Sequence, residues 1–352
     1  MQSIRVIGAA ALTIIAICGA HAGSLNPPGA PSSTPGDEPR IPISGATTPG
    51  DSTAFHIIDE PGSYYLTGNI SNPLLNSSRN GIFIAASNVT LDLNGFTLDG
   101  FEPFVIPLGA TPETQGLAPE TVGILADVDV ESITIRNGFV RDWNSWGIDL
   151  STAVGHRIEG VTAIHNGGGG VISGGRTLVT RCVANFNSGF GISVGGGSTV
   201  TECVAAENSA SGISAGSHCS VVDCTSTNNG SSGITATSDC TISQCTAVRN
   251  GADGIRTSFG GCLILNNSCS ENGQNSDIGA GVKSGSGDRV EGNNVTSNDR
   301  GIWATGGSFV FRNTAYSNTA ENYAISGNNA VGEILSSSDP VTSSNPWANF
   351  SF

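Results

Sequence analysis

Residues 170–190 read GVISGGRTLVTRCVANFNSGF, residues 191–211 GISVGGGSTVTECVAAENSAS, residues 212–232 GISAGSHCSVVDCTSTNNGSS and residues 233–253 GITATSDCTISQCTAVRNGAD. The four units are equal in length, and the same side-chain types return at the same offsets, so each unit is one structural repeat. Read down the stack, one column is Asn166, Asn187, Asn208, Asn229, Asn250, Asn272, Asn298 and Asn318. Five residues upstream runs a second column: Val161, Cys182, Cys203, Cys224, Cys245, Asn267, Asn293 and Asn313. Eight residues upstream the column is Ile158, Val179, Val200, Val221, Ile242, Ile264, Val290 and Val310. A column of this kind, without a polar member, must face inward.

A period this short cannot hold the helix pairs of tetratricopeptide or ankyrin repeats, and leucine is too sparse for a leucine-rich array. Short β-branched runs broken by Gly, Asn and Ser predict strands of a few residues, each followed by a turn. Three strands and three turns close one coil. Stacking coils at about 4.8 Å pairs each strand with its equivalents above and below and buries the aliphatic columns. Asparagine suits an inward turn because it tolerates the left-handed backbone conformation and its amide can bond to the next asparagine in the column. The reading is an all-β chain, a single-stranded parallel β-helix.

The GI strand start, the aliphatic column and the two Asn columns five residues apart resemble the repeats of right-handed parallel β-helix proteins of the pectate-lyase-like superfamily. The likeness runs from about Gly81 to Asn329. It implies a right-handed coil. It does not fix an activity, because the same architecture carries lyases, hydrolases, epimerases, adhesins and inert scaffolds.

Around this array the chain divides in order. Residues 1–22 hold one charge, Arg5, an apolar run from Val6 to Ile17 and the triplet Ala20-His21-Ala22, the pattern of a secretory signal peptide. The expected location is therefore secreted, periplasmic or at the cell surface. Residues 23–50, rich in Pro, Gly and Ser, read as a flexible linker. Residues 51–330 form the β-helix domain, with Phe55 to Ile70 covering its first coil, and residues 331–352 form a capping tail sealed by Trp347, Phe350 and Phe352. GI-type starts at Gly81, Gly123, Gly147, Gly170, Gly191, Gly212, Gly233, Gly254, Gly281 and Gly301 predict about ten coils between N- and C-terminal caps. Two spacings are too long, giving excursions at Phe101–Thr121 and Glu271–Ala280 that should flank one face.

The formal charge of −15 becomes −16 once Arg5 is removed with the signal. With a single lysine, Lys283, this balance excludes nucleic acid as a partner, and the lack of a long apolar segment in the remainder argues against membrane insertion. A monomer is expected, with a polysaccharide as the candidate partner. Of nine cysteines, eight lie beyond the signal: Cys182, Cys203, Cys224 and Cys245 share one column, and Cys219, Cys240 and Cys262 another. A buried ladder of free thiols is preferred over disulfides between stacked neighbours. Zinc is disfavoured, since one inward column cannot supply a tetrahedron.

Function on such a stack would sit on outward side chains. The second residue after each glycine is small from Ser193 through Ser214 to Thr235 and then becomes Arg256, Lys283 and Trp303, with Asp253 and Arg300 beside them. This resembles the neighbouring Lys and Arg of β-helix lyases that act on uronic-acid polysaccharides. The likeness implies Lys283 and Arg256 as catalytic residues, one abstracting the proton α to a uronate carboxylate and the other neutralising that carboxylate. Trp303 would stack on a sugar, with Arg300 and Asp253 also contacting substrate. No resident cofactor or metal is predicted. Calcium is left open by the resemblance, and Asp253, Asp277 and Asp299 are the carboxylates nearby. A second cluster, Asp127 and Asp149 with Arg141, Asp142, Trp143 and Trp146, offers an acid/base pair for glycoside hydrolysis or simply a solvated acidic patch. The competing reading of the whole chain is a non-catalytic surface or adhesion-type rod.

Overall fold

The coil at residues 191–211 shows how the repeat folds. Its strands are Ile192–Val194, Thr199–Thr201 and Val204–Ala206. Ile192, Val200 and Ala205 are wholly buried, and the residues beside them in each strand turn outward or to the flank. Each strand pairs in parallel with its counterpart one coil on, Ile192 with Ile213, Thr199 with Ser220 and Val204 with Thr225. The structure, a computed structural model, describes residues 40–72, 78–100, 120–273, 279–337 and 344–352.

Among these residues the regular structure is all strand. One parallel sheet has twelve strands, from Ala54–Ile58 to Glu321–Ser326, and the remaining strands of the coils form the other wall. Every fully buried Ile or Val in the interior contributes on the order of 1.5–3 kcal/mol relative to exposure.

Three polar columns run through this apolar interior. In the first, Nδ2 of Asn166, Asn187, Asn208 and Asn229 donates to Oδ1 of the next asparagine at 2.9–3.0 Å. The ladder continues through Asn250, Asn272 and Asn298 to Asn318 and ends on Asn322. In the second, Cys245 N–H donates to Asn267 Oδ1, and the column goes on through Asn293 and Asn313 to Asn349. In the third, backbone N–H groups of Thr177, Ser198, Cys219, Cys240 and Cys262 donate in turn to the side chains of Ser198, Cys219, Cys240, Cys262 and Asp288.

The turn chemistry differs from the expectation in one respect. The left-handed residue is the one before each inward side chain, Glu202 and Glu207 (φ 55° each) ahead of Cys203 and Asn208, with Asp223 and Asn228 in the next coil. The asparagines are therefore kept for their amides, and almost any residue one step earlier takes the positive φ.

All eight cysteines of the described residues are free and buried. In the column beginning at Cys182, the Sγ of Cys182, Cys203, Cys224 and Cys245 each donate to the carbonyl two residues back at 3.2–3.3 Å, a role only a protonated thiol fills. Cys269 belongs to neither expected column; it pairs with Ala247 and Val295 in the apolar interior, where burial pushes its thiol pKa up.

The ends depart from the sequence reading. Residues 1–39, which hold the expected signal and most of the linker, lie outside the described residues. Residues 40–50, assigned to the linker, already pack on the stack: Ile41–Pro42 pairs with Tyr64 and Tyr65, and Ile43 and Thr48 are buried. The segment from Phe55 to Ile70 does cover the first coil with a strand, a turn and a second strand, and Ile70–Ser71 adds a third pairing, on Thr97–Asp99. At the other end Asn349–Ser351 pairs with both Thr314–Tyr316 and Ile334–Ser336. There Asn349 and Ala348 are buried while Trp347 and Phe352 stay partly exposed, because the last coil is closed by the ladder and not by the large rings.

Candidate functional site

In the twelve-stranded sheet, Thr235, Arg256, Lys283, Trp303 and Ala324 occupy one register position on consecutive strands. The flanking Ile255, Val282 and Ile302 are buried, so strand alternation sends Arg256, Lys283 and Trp303 to the outer face. The structure thus brings together the residues that the spacing had grouped.

Their contacts are specific. Lys283 Nζ sits 3.7 Å from the centroid of the Trp303 ring, and the Arg300 guanidinium carbon lies 4.4 Å from the same ring. The expected sugar platform is therefore in contact with two cations, each attracted by the ring's π face. Arg300 Nε is 3.4 Å from Glu321 Oε1, while its Nη1 is buried without a hydrogen bond among the described residues. Arg256 is exposed and Lys283 half-buried. Burial, reinforced by Arg256 and Arg300 and opposed by Asp253, lowers the Lys283 ammonium pKa from its ordinary value. A lysine so placed surrenders its proton more readily.

Asp253 lies beneath these cations. It follows Ser211 and Ser232 in a buried column at the turn into the strand, and its Oδ1 accepts the Ala280 N–H at 2.9 Å. Burial raises its carboxyl pKa, against the pull of Lys283 and Arg256. Asp299 Oδ2 accepts the Gly279 N–H at 3.1 Å. Asp277 falls within residues 274–278, outside the described residues, and of the excursion at Phe101–Thr121 only residues 120–121 are described. Among the described residues no group of three or more His, Cys, Asp or Glu side chains is placed to hold a metal ion.

The second cluster is held mostly by local bonds, with Arg141 Nε 3.5 Å from Asp142 Oδ2. Asp149 is level with Leu125, which leaves Asp127 diagonal to it as the spacing implied, and each carboxylate accepts a nearby backbone N–H, Asp149 that of Ser151 and Asp127 that of Val128. Arg141 pairs with Asp99 at 2.6 Å. Trp143 is in the core, its indole N–H on the Leu98 carbonyl, and Trp146 lies against Gly169, where an added Cβ would collide with its ring.

Sequence reasoning did not anticipate that Arg300 shares the Trp303 ring or that Glu321 stands beside it. The register offered the signal, since Ala280, Arg300 and Glu321 are equivalent positions on successive strands.

A family model described as "Right handed beta helix region" matches residues 213–349. A search of curated proteins by sequence finds no match. Among solved structures, the A-module of the Azotobacter vinelandii mannuronan C-5 epimerase AlgE4 is similar with a TM-score of 0.60 and 17% identity over 83% of this chain and 90% of that one. The AlgE6 A-module from the same organism gives 0.54 and 15% over 89% and 88%. The Dettilon tailspike protein gives 0.52 and 15% over 85% and 60%. At such identities the likeness speaks to architecture, and with the parallel register of the described coils it shows that the chain has the right-handed parallel β-helix fold.

Proposed function

We propose that this protein is exported and binds polyuronate glycans on the face carrying Arg256, Lys283, Arg300 and Trp303, acting on them at the carbon α to the carboxylate. The observation that carries the reading is the clustering itself. On a chain of formal charge −15, three cations gather at one outward patch, two of them on one indole ring. Such a patch attracts a carboxylated polymer that the rest of the surface repels. The apolar N-terminal run fits export.

The chemistry follows from the lowered lysine. The fraction of Lys283 that has shed its proton leaves the Trp303 ring as a free amine and takes the C5 proton of a uronate residue, while Arg256 and Arg300 neutralise the carboxylate into which the electron pair delocalises. Return of a proton from water to the opposite face of C5 inverts that carbon; departure of the C4 oxygen, which takes up the proton held by Lys283 or one from water, instead gives an unsaturated sugar. Both outcomes share the first step. Trp303 holds Lys283 and Arg300 in place, and Asp253 sets the field beneath them. The two epimerase modules that share the fold are named for mannuronan, which makes oligomannuronate the first probe.

The second reading, a non-catalytic glycan-binding surface, is favoured by one observation. Lys283 Nζ already has a partner in the Trp303 ring. Calorimetric titration with oligomannuronate tests the proposal: Lys283→Ala, Arg256→Ala and Trp303→Ala should each weaken binding while thermal unfolding is unchanged. Binding that is indifferent to all three would remove the site from this face.

A further inference from the structure

On the wall away from the lysine, the outer face of the last coils carries a different surface. Leu263, Arg289 and Phe309 are level on consecutive strands, and Glu291 and Phe311 are level two residues further along. Trp347, delivered by the C-terminal tail, meets Phe311 edge-on with centroids 5.2 Å apart. Leu263, Arg289, Phe309, Phe311 and Trp347 line a groove of about 530 Å³, and a second hollow of about 300 Å³ shares Phe309, Phe311 and Trp347 with it. The three rings thus form a ridge with a basin on either side. Phe309 is 53% and Trp347 48% exposed, although rings of this size favour burial.

The charges around the groove are already matched. Arg289 and Arg312 both bond Glu291, at 2.6 and 2.9 Å, and they stack over the Phe311 and Trp347 rings respectively. Arg312 Nε also donates to the Pro346 carbonyl at 2.9 Å, which fixes the tail and with it Trp347. An anionic ligand would have to compete with Glu291 for the arginines. A purely apolar ligand would cover this charged rim without satisfying it. A neutral pyranose fits both features: its C–H face lies on an aromatic ring, and its hydroxyls accept from the Arg289 guanidinium that lines the groove without displacing it from Glu291. The volume lies in the range of small-ligand sites, roughly 300–1,000 Å³.

We infer that the ridge of Phe309, Phe311 and Trp347 is a second glycan-binding site, specific for a neutral oligosaccharide that straddles the rings from one basin to the other. It is separate from the cationic face and does not depend on the polyuronate reading.

The test is titration of the full chain with cellohexaose, mannohexaose and xylohexaose, with acrylamide quenching of tryptophan fluorescence as the readout. At least one of the three should bind and shield Trp347. Phe309→Ala, which removes an exposed ring and leaves the strand intact, should weaken that binding tenfold or more. Trp347→Phe should remove the shielding signal, and Lys283→Ala should alter neither. The inference is overturned if none of the three neutral sugars binds, if binding survives Phe309→Ala, or if oligomannuronate displaces the neutral sugar competitively. It is also overturned if sedimentation shows that the ridge pairs two copies of the chain and Phe309→Ala separates them.

Discussion

Replacing Asn229 by leucine strikes the middle of the longest polar column. Its Oδ1 accepts both the backbone N–H of Asn208, at 3.1 Å, and Asn208 Nδ2, at 3.0 Å. The two hydrogens of its Nδ2 are shared among three acceptors at 3.0–3.1 Å, the Ala205 carbonyl, Ser226 Oγ and Asn250 Oδ1. Several partners keep another bond: Ser226 Oγ still donates to the Gly233 carbonyl, and Asn250 Oδ1 still accepts the residue 229 backbone N–H. What leucine strands are two donors on Asn208, and a buried donor without a partner costs about 1–3 kcal/mol. Burial of the leucine side chain returns part of this, up to about 3 kcal/mol. Packing limits the gain, because a Cβ on Gly212 would come within 2.6 Å of Asn229 Nδ2, which leaves little room for a branched end. The net expectation is destabilisation of about 1–3 kcal/mol. Calorimetry should see the unfolding midpoint fall by several degrees, given roughly 2–4 °C per kcal/mol in domains of 150–250 residues. An unchanged or raised midpoint would refute the view that this ladder's amides are interdependent.

Thiol titration of the denatured chain from Gly23 onward should find eight free groups, and the native protein should react far more slowly; fewer than eight would mean disulfides. Stability should also depend on pH through His156. Its ring is buried, its Nδ1 accepts the Ile133 N–H, and burial lowers its pKa below the usual 6.5. The unfolded chain therefore binds the proton first, so stability should be full above about pH 6.5 and decline as pH falls below it. His56, lowered by burial as well, adds to the same window. Melting curves across that range should show the decline, and His156→Gln should flatten it; an equal slope in the variant would assign the effect elsewhere.

The coil architecture was legible because its cause is periodic. Ile, Val, Cys and Asn return at fixed offsets from one coil to the next, and strand alternation turns that period into inward and outward columns. The site was half legible by the same logic: Arg256, Lys283 and Trp303 share a register position that counting from each glycine can find. Side-chain direction beyond the register was not. Whether Trp303 meets sugar or cation depends on where the long Arg300 side chain folds, and Trp143 beside Asp142 gave no sign that its ring turns into the core. The C-terminal groove escaped notice because its parts, Phe309, Phe311 and Trp347, come from a strand and a tail that only the last coil brings together. The ladder asparagines were identified correctly, but their backbone role was misassigned, since the left-handed turn sits one residue earlier.

The central claim is that the Lys283 face removes the proton α to a uronate carboxylate, and it can be measured without knowing which product is released. Polymannuronate incubated with the protein in deuterated water should take up deuterium at C5 or gain an unsaturated end, read by proton NMR. Lys283→Ala should abolish either change, while Phe309→Ala should leave it intact. Wild-type protein that binds the polymer yet leaves every C5 proton in place would contradict the claim and leave a binding surface without chemistry.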